Sequence, residues 1–261
     1  MAFGIVTVPL ALSINETLPA GGGLLADMRI FTAMGAYSMG VTTAVVPSDG
    51  PQLGAAEPLS AQSVGTQLRM VLEHYSVGAV KLGPPHSPEA AEAVGVLLQA
   101  ARQQRQDLPI VVNSSLRTRT GQSRADAATQ AAAMAHCYPL ASLLVCNVDD
   151  AALLTKSGVT TPEHLEPAAK TLHAQFGVPV LVTGGRLANT DESVDCLWNG
   201  SELEFFASTR ILGISLFGLS DALTAVTVVY LANGFGVADS VAQAKTYLEQ
   251  ALAHALPIGP E

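Results

Sequence analysis

Leu216-Phe217-Gly218-Leu219-Ser220-Asp221 leads into an apolar stretch, residues 222–232, that reads as a buried helix. A glycine turn opening onto a helix aims several backbone N–H groups at one point, and a carboxylate in the first helical turn stands beside them. That is the equipment a phosphoryl-transfer site requires. An Asp in the first turn is equally a common helix cap, so both readings stand for Asp221 at this point.

Just before this stretch, residues 194–198 and 203–206 flank Asn199-Gly200, the strongest short hairpin signal in the chain. Two helices, 219–233 and 237–254, close the sequence. Toward the N-terminus, runs rich in Val, Leu and Ile predict strands at 4–13, 37–47, 77–82, 108–112, 141–146 and 178–183. Between them, helices are expected at 24–34, 59–75, 88–105, 125–136 and 162–176, with a short helix opened by Asn147-Val148-Asp149-Asp150. Strands alternating with helices argue for βαβ units, right-handed crossovers and a mainly parallel sheet, with the hairpin as an antiparallel edge. The expectation is one α/β domain over residues 1–261. Residues 15–23 read as a loop whose three glycines either let a ligand approach the backbone or form a plain turn. Residues 47–58 form the loosest Pro/Gly segment, placed to act as a lid.

Hydrophobic residues make up 49% of the 261 and charged ones 13%, which excludes disorder and favours a largely buried sheet. A net charge of −9 offers no footprint for nucleic acid or for an anionic membrane, so neither is an expected partner. Cys137, Cys146 and Cys196 are odd in number and show no ligand spacing, as buried thiols of a reducing compartment would. The apolar start runs into Asn15-Glu16 rather than a cleavage site and reads as a strand. The six histidines, at 74, 86, 136, 164, 173 and 254, have no metal-like spacing. Arg117 and Arg119 belong either to a phosphate contact or to a solvated loop.

Ala26-Asp27-Met28-Arg29-Ile30-Phe31, Gly78-Ala79-Val80-Lys81-Leu82-Gly83, Asn147-Val148-Asp149-Asp150-Ala151, Val182-Thr183-Gly184-Gly185-Arg186-Leu187 and Arg210-Ile211 occur in this order before the glycine turn. In that order they resemble the hydroxymethylpyrimidine and phosphomethylpyrimidine kinases. The resemblance implies a ribokinase-like three-layer αβα sandwich and an ATP- and Mg²⁺-dependent kinase. Its substrate would be a small heteroaromatic alcohol, hydroxymethylpyrimidine or its phosphate. A pyridoxal kinase-like enzyme and a catalytically inactive relative that binds a ligand or protein are the alternatives. The resemblance further implies a cytoplasmic homodimer.

Carried over residue by residue, Asp221 would be the base, with Gly218 and Ser220 in the anion hole. Asn147, Thr183, Gly185, Gly218 and Leu219 would face the nucleotide, and Asp150 and Asn113 the metal. Asn15, Asp27, Ser48 and Ser115 would face the substrate. The chain departs from the family pattern at several of these points. Ser48 stands where the family has a glutamine, Asn113 where it has an aspartate, Thr183 where it has a lysine and Ser220 where it has a second glycine. Were Ser220 required to hold a positive φ, its side chain would cost about 1–2 kcal/mol.

Overall fold

The computed structural model describes residues 8–19, 21–50, 52–187, 192–211 and 218–255. Residues 4–7 of the first expected strand and Leu216-Phe217 of the opening stretch lie outside the described residues.

Among the described residues, nine strands form one sheet: β1 (Leu10–Thr17), β2 (Tyr37–Val45), β3 (Glu57–Pro58), β4 (Ala79–Leu82), β5 (Ile110–Asn113), β6 (Leu143–Asn147), β7 (Val180–Thr183), β8 (Glu192–Trp198) and β9 (Leu203–Thr209). Their order is β3-β2-β1-β4-β5-β6-β7-β8-β9. The strands from β2 to β7 pair in parallel, and β8 and β9 form the antiparallel edge expected from Asn199-Gly200. The two-residue β3 pairs antiparallel with β2, a second edge inside the segment read as a loose loop.

The helices are α1 (Gly23–Ala33), α2 (Ala61–His74), α3 (Pro88–Gln104), α4 (Ala127–His136), α5 (Val148–Thr155), α6 (Leu165–Phe176), α7 (Leu219–Ala232) and α8 (Val237–Ala253). Local chemistry sets several of their starts. Ser60, Ser87 and Asp126 each accept a hydrogen bond from the backbone N–H three residues on, which satisfies one of the donors a helix start leaves open. Gly177 ends α6 at φ 72°, a conformation that favours glycine.

Strand periodicity divides the core into two layers. Leu12, Ile14, Val80, Leu82, Ile110, Val112, Leu144, Cys146, Val180 and Val182 pack against α2 to α6. The alternate residues Ala11, Ala79, Val111, Leu143, Val145 and Leu181 pack against α1, α7 and α8. This is the three-layer α/β arrangement the alternation implies. Buried leucine, isoleucine and valine side chains contribute about 1.5–3 kcal/mol each, so both layers carry the fold. Cys137, Cys146 and Cys196 are buried free thiols, and burial pushes Cys137 up to about 12.

One expectation is corrected here. Residues 15–17, read as the start of a loop, belong to β1, where Asn15 and Thr17 pair with β2 on either side of an irregularity at Glu16. The polar side chains of Asn15 and Glu16 are tolerated at 1% and 0% exposure because each finds a buried polar partner. Polarity signals a loop only when the group has no internal partner.

Candidate active site

The strand order reverses direction between β1 and β4, the place where open parallel sheets form a crevice at their carboxyl ends. Asn15 and Glu16 end β1, Lys81 and Leu82 end β4, Asn113 ends β5, Asn147 ends β6 and Thr183 ends β7. Alternation also fixes the side on which they act. Ser13, Lys81 and Asn113 are in step with Ala11, Ala79 and Val111, which face α1 and α7, so these strands deliver a polar cluster to the layer that carries Asp27 and Asp221.

A cleft above this edge is lined by Asn113, Ser115, Arg124, Asn147, Thr183, Gly185, Gly218, Leu219, Ser220 and Asp221, among others. Gly218 precedes α7 at φ 77°, the left-handed region that opens the turn. Ser220 lies inside the helix and has no positive φ, so the strain attached to it in the sequence does not arise. Ser115 does hold a left-handed conformation, at φ 39° on the cleft wall. Such strain in a non-glycine residue collects at functional sites.

Asp221 is in the first turn of α7 and buried. Its Oδ1 accepts from Lys81 Nζ at 3.0 Å and from Asn113 Nδ2 at 3.2 Å, while among the described residues Oδ2 accepts only a longer bond, 3.3 Å, from the Gly23 N–H. Burial alone would raise its pKa, but the charges of Lys81 and Arg124 outweigh it and hold Asp221 below the usual carboxylate range. The group is therefore an ionised carboxylate at neutral pH, aimed past a helix N-terminus into the cleft.

Asp27, expected at the substrate, has no exposed surface. Its Oδ2 accepts from the Ser13 hydroxyl at 2.6 Å and Asn15 Nδ2 at 3.0 Å, and its Oδ1 is ion-paired with Lys81. Asn15 is occupied by this contact and by the Glu16 N–H. Both residues thus shape the floor of the site, one layer beneath the cleft. Burial first, with the Asp221 charge adding, raises Asp27 to about 6 despite Lys81. Ser48 lies off the cleft in a turn, hydrogen-bonded to Gly50, while its bridge partner Leu53 reaches the wall.

Asn113, expected on the metal side, turns its amide to α7 instead: Nδ2 donates to Asp221 and Oδ1 accepts the Ser220 hydroxyl at 3.1 Å. Asp150, the other residue expected at the metal, is buried and held through one oxygen. Its Oδ2 accepts from Ser114 Oγ at 2.8 Å, the Leu116 N–H at 3.1 Å and Asn147 Nδ2 at 2.9 Å, whereas Oδ1 is buried without a partner among the described residues. Asn147 meanwhile caps α5, accepting from the N–H groups of Asp149 and Asp150. A buried carboxylate oxygen of this kind fits a hard cation that takes one protein carboxylate and completes its shell with water and phosphate. Burial raises the Asp150 pKa against the pull of its hydrogen bonds, which a cation would relieve. Among the described residues no three His, Cys, Asp or Glu side chains cluster as a metal cage.

Several members of the site were not singled out in the sequence. Lys81 is the most legible of them, since a lysine inside a strand whose neighbours are all buried is almost always paired. Glu16 is buried between Arg124 and His86, whose Nε2 lies 2.5 Å from Glu16 Oε2. Lys245 of α8 pairs with Asp195 of β8 at 2.9 Å beside Thr183. Arg124 shares its loop with Arg117 and Arg119, all three line the cleft, and no local pattern sets Arg124 apart from them.

Known proteins resemble this chain in sequence and fold. The family model described as Phosphomethylpyrimidine kinase matches residues 19–261. The hydroxymethylpyrimidine/phosphomethylpyrimidine kinase of Streptomyces coelicolor is 30% identical over 255 residues, covering 97% of this chain and 92% of that protein. The thiamine biosynthesis bifunctional protein of Geobacter sulfurreducens is 29% identical over 92% of this chain, which spans 48% of its length. Among solved structures, the Staphylococcus aureus pyridoxal kinase in complex with AMP-PCP and pyridoxal superposes with a TM-score of 0.84 at 22% identity, covering 97% of this chain and 93% of that one. That likeness speaks for the ribokinase-like fold.

Proposed function

The chain belongs to the phosphomethylpyrimidine kinase family, and from that membership we propose that it transfers the γ-phosphoryl group of ATP to the hydroxymethyl group of a small heteroaromatic vitamin precursor, hydroxymethylpyrimidine or its phosphate. The observation that carries the reading is Asp221: an ionised carboxylate in the first turn of α7, behind the Gly218 turn, on the wall of the cleft. In the transfer, the substrate hydroxyl gives its proton to Asp221 Oδ2. The hydroxyl oxygen forms its bond to the γ-phosphorus as the bond from that phosphorus to the bridging oxygen breaks, and ADP leaves. The N–H groups of the Gly218 turn and the α7 N-terminus face the charge that builds on the transferred group.

ATP is supported by the AMP-PCP bound to the S. aureus relative, and Thr183, Gly185 and Leu219 line the part of the cleft we assign to it. Asp150, through an Oδ1 that has no partner among the described residues, would hold the Mg²⁺ that accompanies ATP, and the ion would neutralise phosphate charge there. Ser115 supplies a cleft-facing contact for the substrate, while Asn15 and Asp27 act from beneath. The assembly we propose is a homodimer in the cytoplasm; light scattering of the purified chain tests the first of these. Pyridoxal is the second candidate substrate, favoured by the pyridoxal bound to the same relative.

The test is ATP turnover with Mg²⁺ over hydroxymethylpyrimidine, its phosphate and pyridoxal, beside an Asp221→Asn variant. The expected result is a phosphorylated pyrimidine from the wild type and a loss of roughly 10²–10⁴-fold in the variant, the range removal of a general base gives. Phosphorylation of pyridoxal alone would move the assignment to vitamin B6 chemistry. No product on any alcohol, with ATP failing to raise the melting temperature, would leave a binding protein built on a kinase fold.

A further inference from the structure

The Lys81 side chain is hydrogen-bonded to both acidic residues of the site, Asp27 of α1 and Asp221 of α7. Its ammonium lies at the carboxyl end of β4 with no exposed side-chain surface, and its donors are all engaged: Asp221 Oδ1 at 3.0 Å, the Asp221 backbone carbonyl at 3.1 Å, and Asp27 Oδ1. The strand is held in register on both sides, Lys81 standing opposite Ser13 of β1 and Val111 of β5. Asp27 cannot turn away, because Ser13 and Asn15 hold its second oxygen. The ammonium is thus a fixed point to which the first turn of α7 is tied by both backbone and side chain.

We propose that Lys81 is a positioning residue for the phosphoryl-transfer base: shared between Asp27 and Asp221, it clamps Asp221 Oδ1 to the sheet so that Oδ2 alone faces the reacting hydroxyl. The proposal rests on the kinase reading of the same site. Two carboxylates dividing one ammonium is the feature that separates this role from plain structural support. Asp27 draws part of the ammonium's charge from Asp221 and adds a negative charge of its own nearby, so it tempers the hold on the base. The charged groups around Asp221 are Lys81 from β4, Asp27 from α1 and Arg124 from the segment before α4; Arg124 also feels Asp150 and Arg186. The nearest cation on α8, Lys245, is paired with Asp195. Removing Lys81 therefore raises the Asp221 pKa, and neutralising Asp27 lowers it.

The experiment compares wild type, Lys81→Gln, Asp27→Asn and the double variant by the pH profile of kcat, and follows the Asp221 side-chain carboxyl directly by ¹³C NMR titration. Lys81→Gln leaves two buried carboxylates without their cation and risks folding poorly. The double variant removes one charge of each sign and keeps the test open. Expected are an acid limb moved to higher pH and kcat reduced roughly tenfold or more in Lys81→Gln and the double variant, and an acid limb moved to lower pH in Asp27→Asn. Limbs that move the same way in Lys81→Gln and Asp27→Asn, or an Asp221 titration unchanged by loss of Lys81, would overturn the inference. A wild type that phosphorylates no alcohol would instead defeat the kinase reading, and the NMR titration would still decide the role of Lys81.

Discussion

Asn113 Nδ2 donates to Asp221 Oδ1 across 3.2 Å while Asn113 Oδ1 accepts the Ser220 hydroxyl at 3.1 Å, so one amide at the end of β5 grips two consecutive residues of α7. An amide can do this because it carries a donor and an acceptor; a carboxylate in its place could only accept. Where the family carries an aspartate, this chain carries an amide that holds the carboxylate we propose as the base.

Asn113→Asp is accordingly expected to cost stability even though it restores the family residue. The new carboxylate is buried against Asp221, and the lost donor leaves Oδ1 short of a partner, a penalty of about 1–3 kcal/mol at neutral pH. The cost shrinks as pH falls and one of the two carboxyls takes up a proton. Urea denaturation at pH 5 and pH 7 measures it; a penalty that grows toward acid pH would contradict the contact.

Ser220 should respond in the opposite sense to that suggested by the family's second glycine, whereas Gly218 should behave as a glycine the turn requires. Ser220→Gly relieves no backbone strain, removes the bond to Asn113 and places glycine in a helix, for a loss of about 1 kcal/mol. Gly218→Ala forces a side chain into the left-handed region at φ 77°, for about 1–2 kcal/mol. A Cβ at that position would meet the Gly21 carbonyl at 3.5 Å, an ordinary contact, so the cost is conformational. Thermal melts of both variants check this, and a turnover gain in Ser220→Gly would show that the hydroxyl crowds the transferred phosphate.

Asp27 carries a pH signature. Its pKa stands at about 6 in the folded chain against an ordinary 3.8. Between these values the folded chain keeps a proton that the unfolded chain has released, so this group's contribution to stability falls as pH rises from about 4 to about 6. Asp27→Asn lacks that dependence, and the stability gap between wild type and variant should narrow over the same interval. Chemical denaturation at half-unit steps reads the gap, and widening with pH would reverse the assignment.

Thr183→Lys returns a cation to the end of β7, on the part of the cleft proposed for the nucleotide. One charge-assisted contact to phosphate is worth about 1.5 kcal/mol, so the dissociation constant for ATP should fall roughly tenfold and the gain should fade with added salt. Isothermal titration calorimetry at two ionic strengths tests it. An unchanged affinity would place the triphosphate away from Thr183.

Much of the architecture is legible in the chain. Alternating apolar runs set the order of strands and helices, because a buried parallel strand needs an unbroken Val, Leu and Ile run and a helix needs a one-sided stripe. The glycine turn before Asp221 and the cap at Asn147 are visible because they depend on residues close in sequence. Residues 15–17 look like loop in the sequence because the partners that allow Asn15 and Glu16 inside, Asp27, His86 and Arg124, come from other elements.

Local periodicity and local backbone demands are enough to dictate the three-layer sheet and the carboxylate behind a glycine turn, so both could be read from the chain. Three-dimensional packing was needed to seal Asp27 beneath the cleft, to turn Asn113 toward Asp221, and to join Lys81 to Asp221 from 140 positions away. A buried charge must be paired wherever the packing of strands and helices brings its partner, and no local pattern records that register.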